Sequence, residues 1–288
     1  MSKRFDHYDG WAWLYDKTMG PEYGKDQLAM LRRVLLPRLP QKAEILDLCC
    51  GTGQMVRWLL DEGYQVTGLD SSEEMLTCAK RNAPSGIYVL EDARQYRAVD
   101  KFHAVFSTSA SLNHVPTIED LSQIFANVRD SLHRRGTFVF DLNHHGQLAK
   151  WWRGRPTEGA IAEKYAWMVT PRYDAKQGQG AFRVTMYRAP KQTSFIQRCL
   201  VSSKRPINRL LGRPRFVGLR LKLIEQFKTW EPRWEKEEID FPIVGHDLDA
   251  VRRALGHVGF TDIRVETIDG SPTMDDDHSA HFICSKAA

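Results

Sequence analysis

Apolar and polar positions along this chain alternate between two periods. Ile45, Leu46 and Leu48 make a short apolar run that reads as a buried strand, and Gly51 and Gly53 read as the turn that leaves it. At Gln54 the period changes, and Met55, Trp58 and Leu59 share one face of a helix over 54–62. Residues 64–69 predict a second strand closing on Asp70. Ser71 and Glu74 are spaced as a capping box, so a helix starts there and runs through Met75, Leu76 and Ala79 toward Asn82. Residues 87–90 and 102–106 predict the third and fourth strands. An amphipathic helix follows over 118–132 on Leu121, Ile124, Phe125, Val128 and Leu132, and a fifth strand over 137–142 after a turn at Arg135-Gly136. A helix over 249–258 and strands over 261–267 and 281–285 close the pattern. Strands and helices in this order with short links predict an α/β, doubly wound (Rossmann-like) parallel sheet of seven strands, whose ligands bind above the carboxyl ends of the strands.

Two stretches stand outside that alternation. Near the start, Tyr8, Trp11 and Tyr15 are spaced to lie on one face of a helix, and an amphipathic helix follows over 25–36, ended by Pro37. About a hundred residues then separate the fifth strand from the closing helix, too many for a simple crossover. They show strand alternation: Tyr165, Trp167, Val169 and Tyr173 on one face, Phe182, Val184 and Met186 on another, Leu219, Leu221, Leu223 and Phe227 on a third. A hairpin turn is expected over 174–180. The expected organisation is an aromatic helical cap over 1–40, a core over 41–143, an inserted antiparallel β lid over 144–245, and the last helix and two strands over 246–288.

Composition narrows the class. With 288 residues and 42% hydrophobic content the chain can bury one elaborated core. The polar opening M-S-K-R-F-D-H-Y-D-G shows no signal-like apolar stretch, no apolar run is long enough to span a membrane, and a cytoplasmic protein is the expectation. The five cysteines (Cys49, Cys50, Cys78, Cys199, Cys284) lack zinc-site spacing and read as free thiols; no metal is expected. Charge is uneven. Residues 175–224 hold twelve of the 41 Lys and Arg and no acid, which leaves 29 basic against 36 acidic residues elsewhere. The basic loop 191–218, with Ile207, Leu210, Leu211 and Phe216 interleaved, reads as a solvated loop, with peripheral contact to an anionic membrane as the next reading and nucleic-acid phosphate as the third.

The glycine turn carries the chemistry. It lacks the Lys-Ser or Lys-Thr of a phosphate loop and the third glycine of a dinucleotide fingerprint. Asp70, closing the second strand, can accept both hydroxyls of a ribose, so turn and carboxylate together point to a nucleoside. The stretch I-L-D-L-C-C-G-T-G resembles the first motif of class I S-adenosylmethionine-dependent methyltransferases, with Cys49 in the first glycine position. In that family the residue there offers its backbone carbonyl to the methionine amino group, and a small cysteine suits it provided that the backbone avoids positive φ. The N-terminal pattern Y-D-x-x-A-x-x-Y-D, the L-N-H-V segment and the G-F-T-D-I-R-V-E-T closing unit resemble the family as well.

The resemblance implies a cofactor, S-adenosylmethionine, held by Asp47, Cys49, Gly51, Gly53, Asp70, Ser71, Met75, Asp92, Ala93 and Ser107, with Tyr8 and Tyr15 capping it and Asp92 accepting from the adenine amine. His114, Tyr15 and His144 are the catalytic candidates, with His145 a further base if the acceptor is a hydroxyl. The implied activity is methyl transfer to a small-molecule acceptor, most nearly an amine nitrogen as in glycine/sarcosine and amino-sugar N-methyltransferases. Two alternatives stay open: a methyltransferase for a membrane-associated quinone or lipid hydroxyl, or for RNA or protein through the basic loop; and a catalytically silent protein that binds S-adenosylmethionine or nucleic acid. The N-P-P-[YF] signature of exocyclic-amine nucleic-acid methyltransferases is missing, as the fourth strand ends S-T-S-A-S.

Overall fold

The computed structural model describes residues 7–190 and 210–287; most of the basic loop, and Cys199, lie outside them. Two compact units divide the chain, one of residues 1–150 with 244–288 and one of residues 151–243.

The first unit is built on a seven-stranded sheet. Its strands are β1 (Glu44–Leu48), β2 (Gln65–Asp70), β3 (Ile87–Leu90), β4 (Phe102–Ser107), β5 (Leu132–Leu142), β10 (Phe260–Glu266) and β11 (Ala280–Lys286), in the spatial order β3-β2-β1-β4-β5-β11-β10. β1 to β5 are parallel, and β11 runs antiparallel to both its neighbours. Both faces of the central strands are apolar because helices cover both. On one, Leu46, Val105, Phe138, Phe140 and Phe282 meet Leu121 and Phe125 of α5 (Ile118–Ser131) and Val251 and Leu255 of α9 (Leu248–His257). Phe140 stacks on Phe282 at 4.8 Å with rings 4° from parallel, and burial of each such ring stabilises the fold by about 1.5–3 kcal/mol. On the other face, Ile45, Ala104, Phe106, Val139 and Ile283 meet Leu28 and Leu31 of α2 (Met19–Val34) and Val56 and Leu59 of α3 (Gln54–Asp61).

Three local expectations need correction here. The N-terminal aromatics do not sit on one α-helix: a 3-10 turn, His7–Trp11, hands over to α1 (Ala12–Lys17). α2 begins six residues before the expected start, with Pro21 in its first turn, where the missing N–H has no intrahelical acceptor to lose. The helix after β2, α4 (Glu73–Asn82), is capped by Ser72 rather than Ser71, its hydroxyl accepting from Met75 N at 3.1 Å. The expected capping box is therefore one residue out of register, and Glu74 cannot close it. Beyond β5 the chain enters α6 (His145–Trp151).

The second unit carries, among the described residues, a four-stranded antiparallel sheet: β6 (Glu158–Ile161), β7 (Tyr165–Asp174), β8 (Gln179–Arg188) and β9 (Glu235–Val244). Trp167 pairs with Met186, Val169 with Val184 and Pro171 with Phe182, so the two alternating faces read from sequence are one shared face. The third predicted strand is instead helical, as α7 (Val217–Glu225) and α8 (Phe227–Trp230). Leu221, Ile224 and Phe227 are buried while Leu219 is exposed, a spacing of three rather than two. Ile224 and Phe227 pack with Ala166, Tyr187 and Trp234 on the opposite face of β7 and β8. No helix among the described residues is long and apolar enough to cross a membrane.

Candidate cofactor and active site

The carboxyl end of β1 delivers Asp47, and then three residues within five take positive φ: Cys49 (+66°), Gly51 (+52°) and Gly53 (+74°). The condition set for a cysteine at position 49 is thus not met: Cys49 sits in the left-handed region. Gly53 is required by packing as well, since a Cβ there would lie 2.9 Å from Ala79 Cβ of α4. Gly68 in β2 is bare for Cys50, whose Sγ would be 2.8 Å from an added Cβ. A Cβ on Gly51 would meet only Tyr15, at 3.8 Å, so the turn faces open space under that ring.

Asp70 pins the turn. Its Oδ2 accepts from Gly51 N and its Oδ1 from Ser72 N, both at 2.9 Å. Burial raises its carboxyl above the ordinary range, and the amides of Ser72, Gly51 and Ser71 oppose that rise. Asp47 is raised well above its ordinary value by burial and by Asp70 nearby. The Asp47 Oδ2 and Thr52 Oγ1 atoms are buried without a hydrogen-bond partner. Cys49 lies within electrostatic reach of Asp70, Asp47 and Asp92; its thiol is beside Ser107, and burial pushes it far up.

The N-terminal segment is tied over this turn by its own acids. Asp9 Oδ1 accepts from Ser72 Oγ and, at 3.3 Å, from Glu74 N, supplying the N-terminus of α4 with the acceptor that Glu74 does not. Asp16 accepts from Arg81 at 2.6 Å and from Asn82, whose amide also donates to Thr52 O at 2.9 Å. Tyr8, Trp11 and Tyr15 form a chain of rings with centroids 5.7 and 5.3 Å apart. Burial raises the Tyr8 phenol well above its usual value, with Tyr15, Asp70 and Cys49 adding to the shift. The phenol therefore keeps its proton, and its Oη is hydrogen-bonded to His114 Nε2 at 2.7 Å.

His114 is aimed by residues that sequence reasoning missed. The loop after β4 turns through left-handed Ser109 and Ala110, and Ala110 N is held at 2.9 Å by Asp141 of β5. Asn113 donates to the carbonyls of Asn143 and Val244 and accepts from Asn143 N, holding together three segments of the first unit that lie after β4, after β5 and before α9. Asp141 lies in one row with His281 and Glu266 across β5, β11 and β10, all buried. Nothing in the spacing of single polar residues inside apolar strands announces such a row.

The structure brings together Asp47, Cys49, Gly51, Gly53, Asp70, Ser107, Tyr8, Tyr15 and His114, with Ser71 and buried Met75 on the α4 side. Asp92 is near, but both its oxygens hold the Arg94 guanidinium, at 2.6 Å for the shortest contact. Burial acts against ionisation of Asp92, and the Arg94 bonds overcome it and hold the carboxyl below its usual range. Ala93, next to it, is half-buried against the core. The Nε2–H of His144 donates to Asp275 O at 2.9 Å.

The Asp47 and Asp70 carboxyls buried without cations, orphaned oxygens on Asp47 before the glycine turn and on Thr52 within it, and a carboxylate at the end of β2 suit a ligand with a nucleoside and positive charge. Comparison with known proteins agrees. Residues 45–136 match a family described as methyltransferase domain. The chain is 34% identical over 147 residues to YqeM of Bacillus subtilis (strain 168), whose methyltransferase assignment is itself provisional; the match covers 50% of this chain and 58% of that protein. It is 31% identical over 121 residues to the dTDP-3-amino-3,4,6-trideoxy-alpha-D-glucopyranose N,N-dimethyltransferase of Streptomyces venezuelae, covering 41% and 51%. The match thus spans between half and three-fifths of these relatives. In fold, it is similar to an S-adenosylmethionine-dependent methyltransferase from Clostridium acetobutylicum ATCC 824 (TM-score 0.66, 13% identity, 98% of this chain and 99% of that one). The comparisons support S-adenosylmethionine as the cofactor. Residues 45–136 are thus similar to a methyltransferase domain, in a chain with the fold of class I S-adenosylmethionine-dependent methyltransferases.

Proposed function

We propose that this chain transfers a methyl group from S-adenosylmethionine to the amine nitrogen of a small molecule of the amino-sugar type. The observation that carries the reading is the turn pinned by Asp70 beneath Tyr15, with the Tyr8–His114 pair at its side. Bound S-adenosylmethionine supplies a methyl already activated on a positive sulfur. Asp70 has lone pairs left on both oxygens to accept the ribose hydroxyls. Asp47, buried and unpaired at Oδ2, answers positive charge. The aromatic segment excludes water, and alignment of nucleophile and methyl is the remaining task.

A neutral amine that takes up a methyl becomes an ammonium and then loses a proton. Tyr8 Oη accepts that proton while passing its own to His114 Nε2, which leaves the product amine neutral. Support for an amine acceptor comes from relatives named as amino-sugar N,N-dimethyltransferases.

The test is calorimetric titration with S-adenosylmethionine and S-adenosylhomocysteine on wild type and Asp70→Ala. Binding weakened at least ~10-fold in the variant is expected, as charge-assisted hydrogen bonds are lost. No binding to wild type sinks the reading. Amino-sugar nucleotides, phenols, quinones and RNA are then offered as acceptors. His114→Ala is expected to lower kcat by ~100-fold with cofactor affinity unchanged; methyl uptake by hydroxyl compounds or RNA alone overturns the amine assignment.

A further inference from the structure

At the opposite edge of the same sheet, three side chains converge that the reading above does not use. Glu44 opens β1, and His103 and His133 are the second residues of β4 and β5, adjacent parallel strands. One potential ligand atom from each lies within 4.8 Å of the other two, and all three side chains are half-buried. The imidazoles meet edge to face at 4.7 Å. Among the described residues the Glu44 carboxylate has no ion-pair partner. A carboxylate and two imidazoles held on neighbouring strand ends are the donor set of a divalent transition ion with water completing its shell.

We propose that Glu44, His103 and His133 bind a zinc-class divalent cation that clips together the entering ends of β1, β4 and β5. Hard ions such as magnesium and calcium are disfavoured, since two of the three ligands are nitrogen. The bare protein uses His103 Nδ1 to accept from Glu44 N at 3.1 Å. Coordination costs that hydrogen bond through either ring nitrogen, since Nδ1 then holds the ion or the ring proton, so the site selects ions with strong imidazole affinity. Filling it stabilises the folded chain by mass action. Cys49 lies five positions after Glu44, about 16 Å along the strand, so the clip does not touch the cofactor turn.

Equilibrium dialysis of the full chain against zinc, with the melting temperature followed in parallel, tests this. One zinc per chain and a raised melting temperature are expected in wild type. Both should vanish in His103→Ala/His133→Ala, and Glu44→Gln should weaken binding at least ~10-fold, the floor set by what outer-shell partners alone contribute. Binding of S-adenosylhomocysteine by each variant shows that it is folded, and separates failure here from failure of the methyltransferase reading. No zinc in wild type, or zinc that survives the double substitution and is lost on alkylating the thiols, overturns the site.

Discussion

Cys49 adopts φ of +66° on the turn where the cofactor's methionine end is expected, with its thiol beside Ser107. The left-handed region costs an L-residue about 1–2 kcal/mol, and only the extra freedom of glycine in the unfolded chain, about 0.4–1 kcal/mol, stands against relieving it. Cys49→Gly is therefore expected to stabilise the chain by up to about 1 kcal/mol, read as a higher urea midpoint at unchanged slope. A lower midpoint would mean that the thiol's packing outweighs the strain. The thiol itself stays protonated at neutral pH because burial and three neighbouring carboxylates oppose thiolate formation.

At the scale of elements, α4 depends on a residue 63 positions away, Asp9, to satisfy its first turn. Asp9→Ala is expected to cost about 1 kcal/mol of stability, as for a lost helix cap, and to weaken cofactor binding, because the same contact holds the Tyr8 to Tyr15 segment over the turn. Thermal melts and cofactor titration on one sample read both. This contact also shows what a sequence hides. The spacing Ser71 to Glu74 was legible as a box, yet the true cap is Ser72, and its partner comes from another element. Strand and helix were told apart well where both faces of a strand are covered, as in β1, β4 and β5. They were confused over 219–227, where apolar residues two apart (Leu219, Leu221, Leu223) and three apart (Leu221, Ile224, Phe227) coexist in one short run. Of the site, the parts set by local geometry, Gly51, Gly53 and Asp70, could be read directly. The parts set by tertiary placement, Asn113, Asp141 and the Tyr8–His114 bond, could not.

Across the first unit, negative charge collects at the carboxyl edge of the sheet. Asp47 and Asp70 are both raised above 3.8, chiefly by burial. The stability that their protonated forms give the ligand-free chain is whole below that value and is lost as pH rises through the raised folded values. A bound cation reverses the balance, because it favours the ionised carboxyls. S-Adenosylmethionine is thus expected to raise the melting temperature more at about pH 8 than at about pH 5, and Asp47→Asn should flatten that difference. Equal shifts at both values would remove the two carboxyls from cofactor binding.

The strand order has a consequence for how the chain comes to be folded as it is made. β11, although it follows β10 in sequence, lies inside the sheet between β5 and β10, and Cys284 reaches Phe138 O across 146 residues of chain. During synthesis β5 therefore emerges with one edge bare and its Phe138 and Phe140 uncovered on that side. It stays so while the whole second unit is being translated. Such an apolar edge is a template for pairing with other chains. The nascent protein is most exposed to aggregation in this interval, which closes only when residues 280–286 arrive to fill the gap.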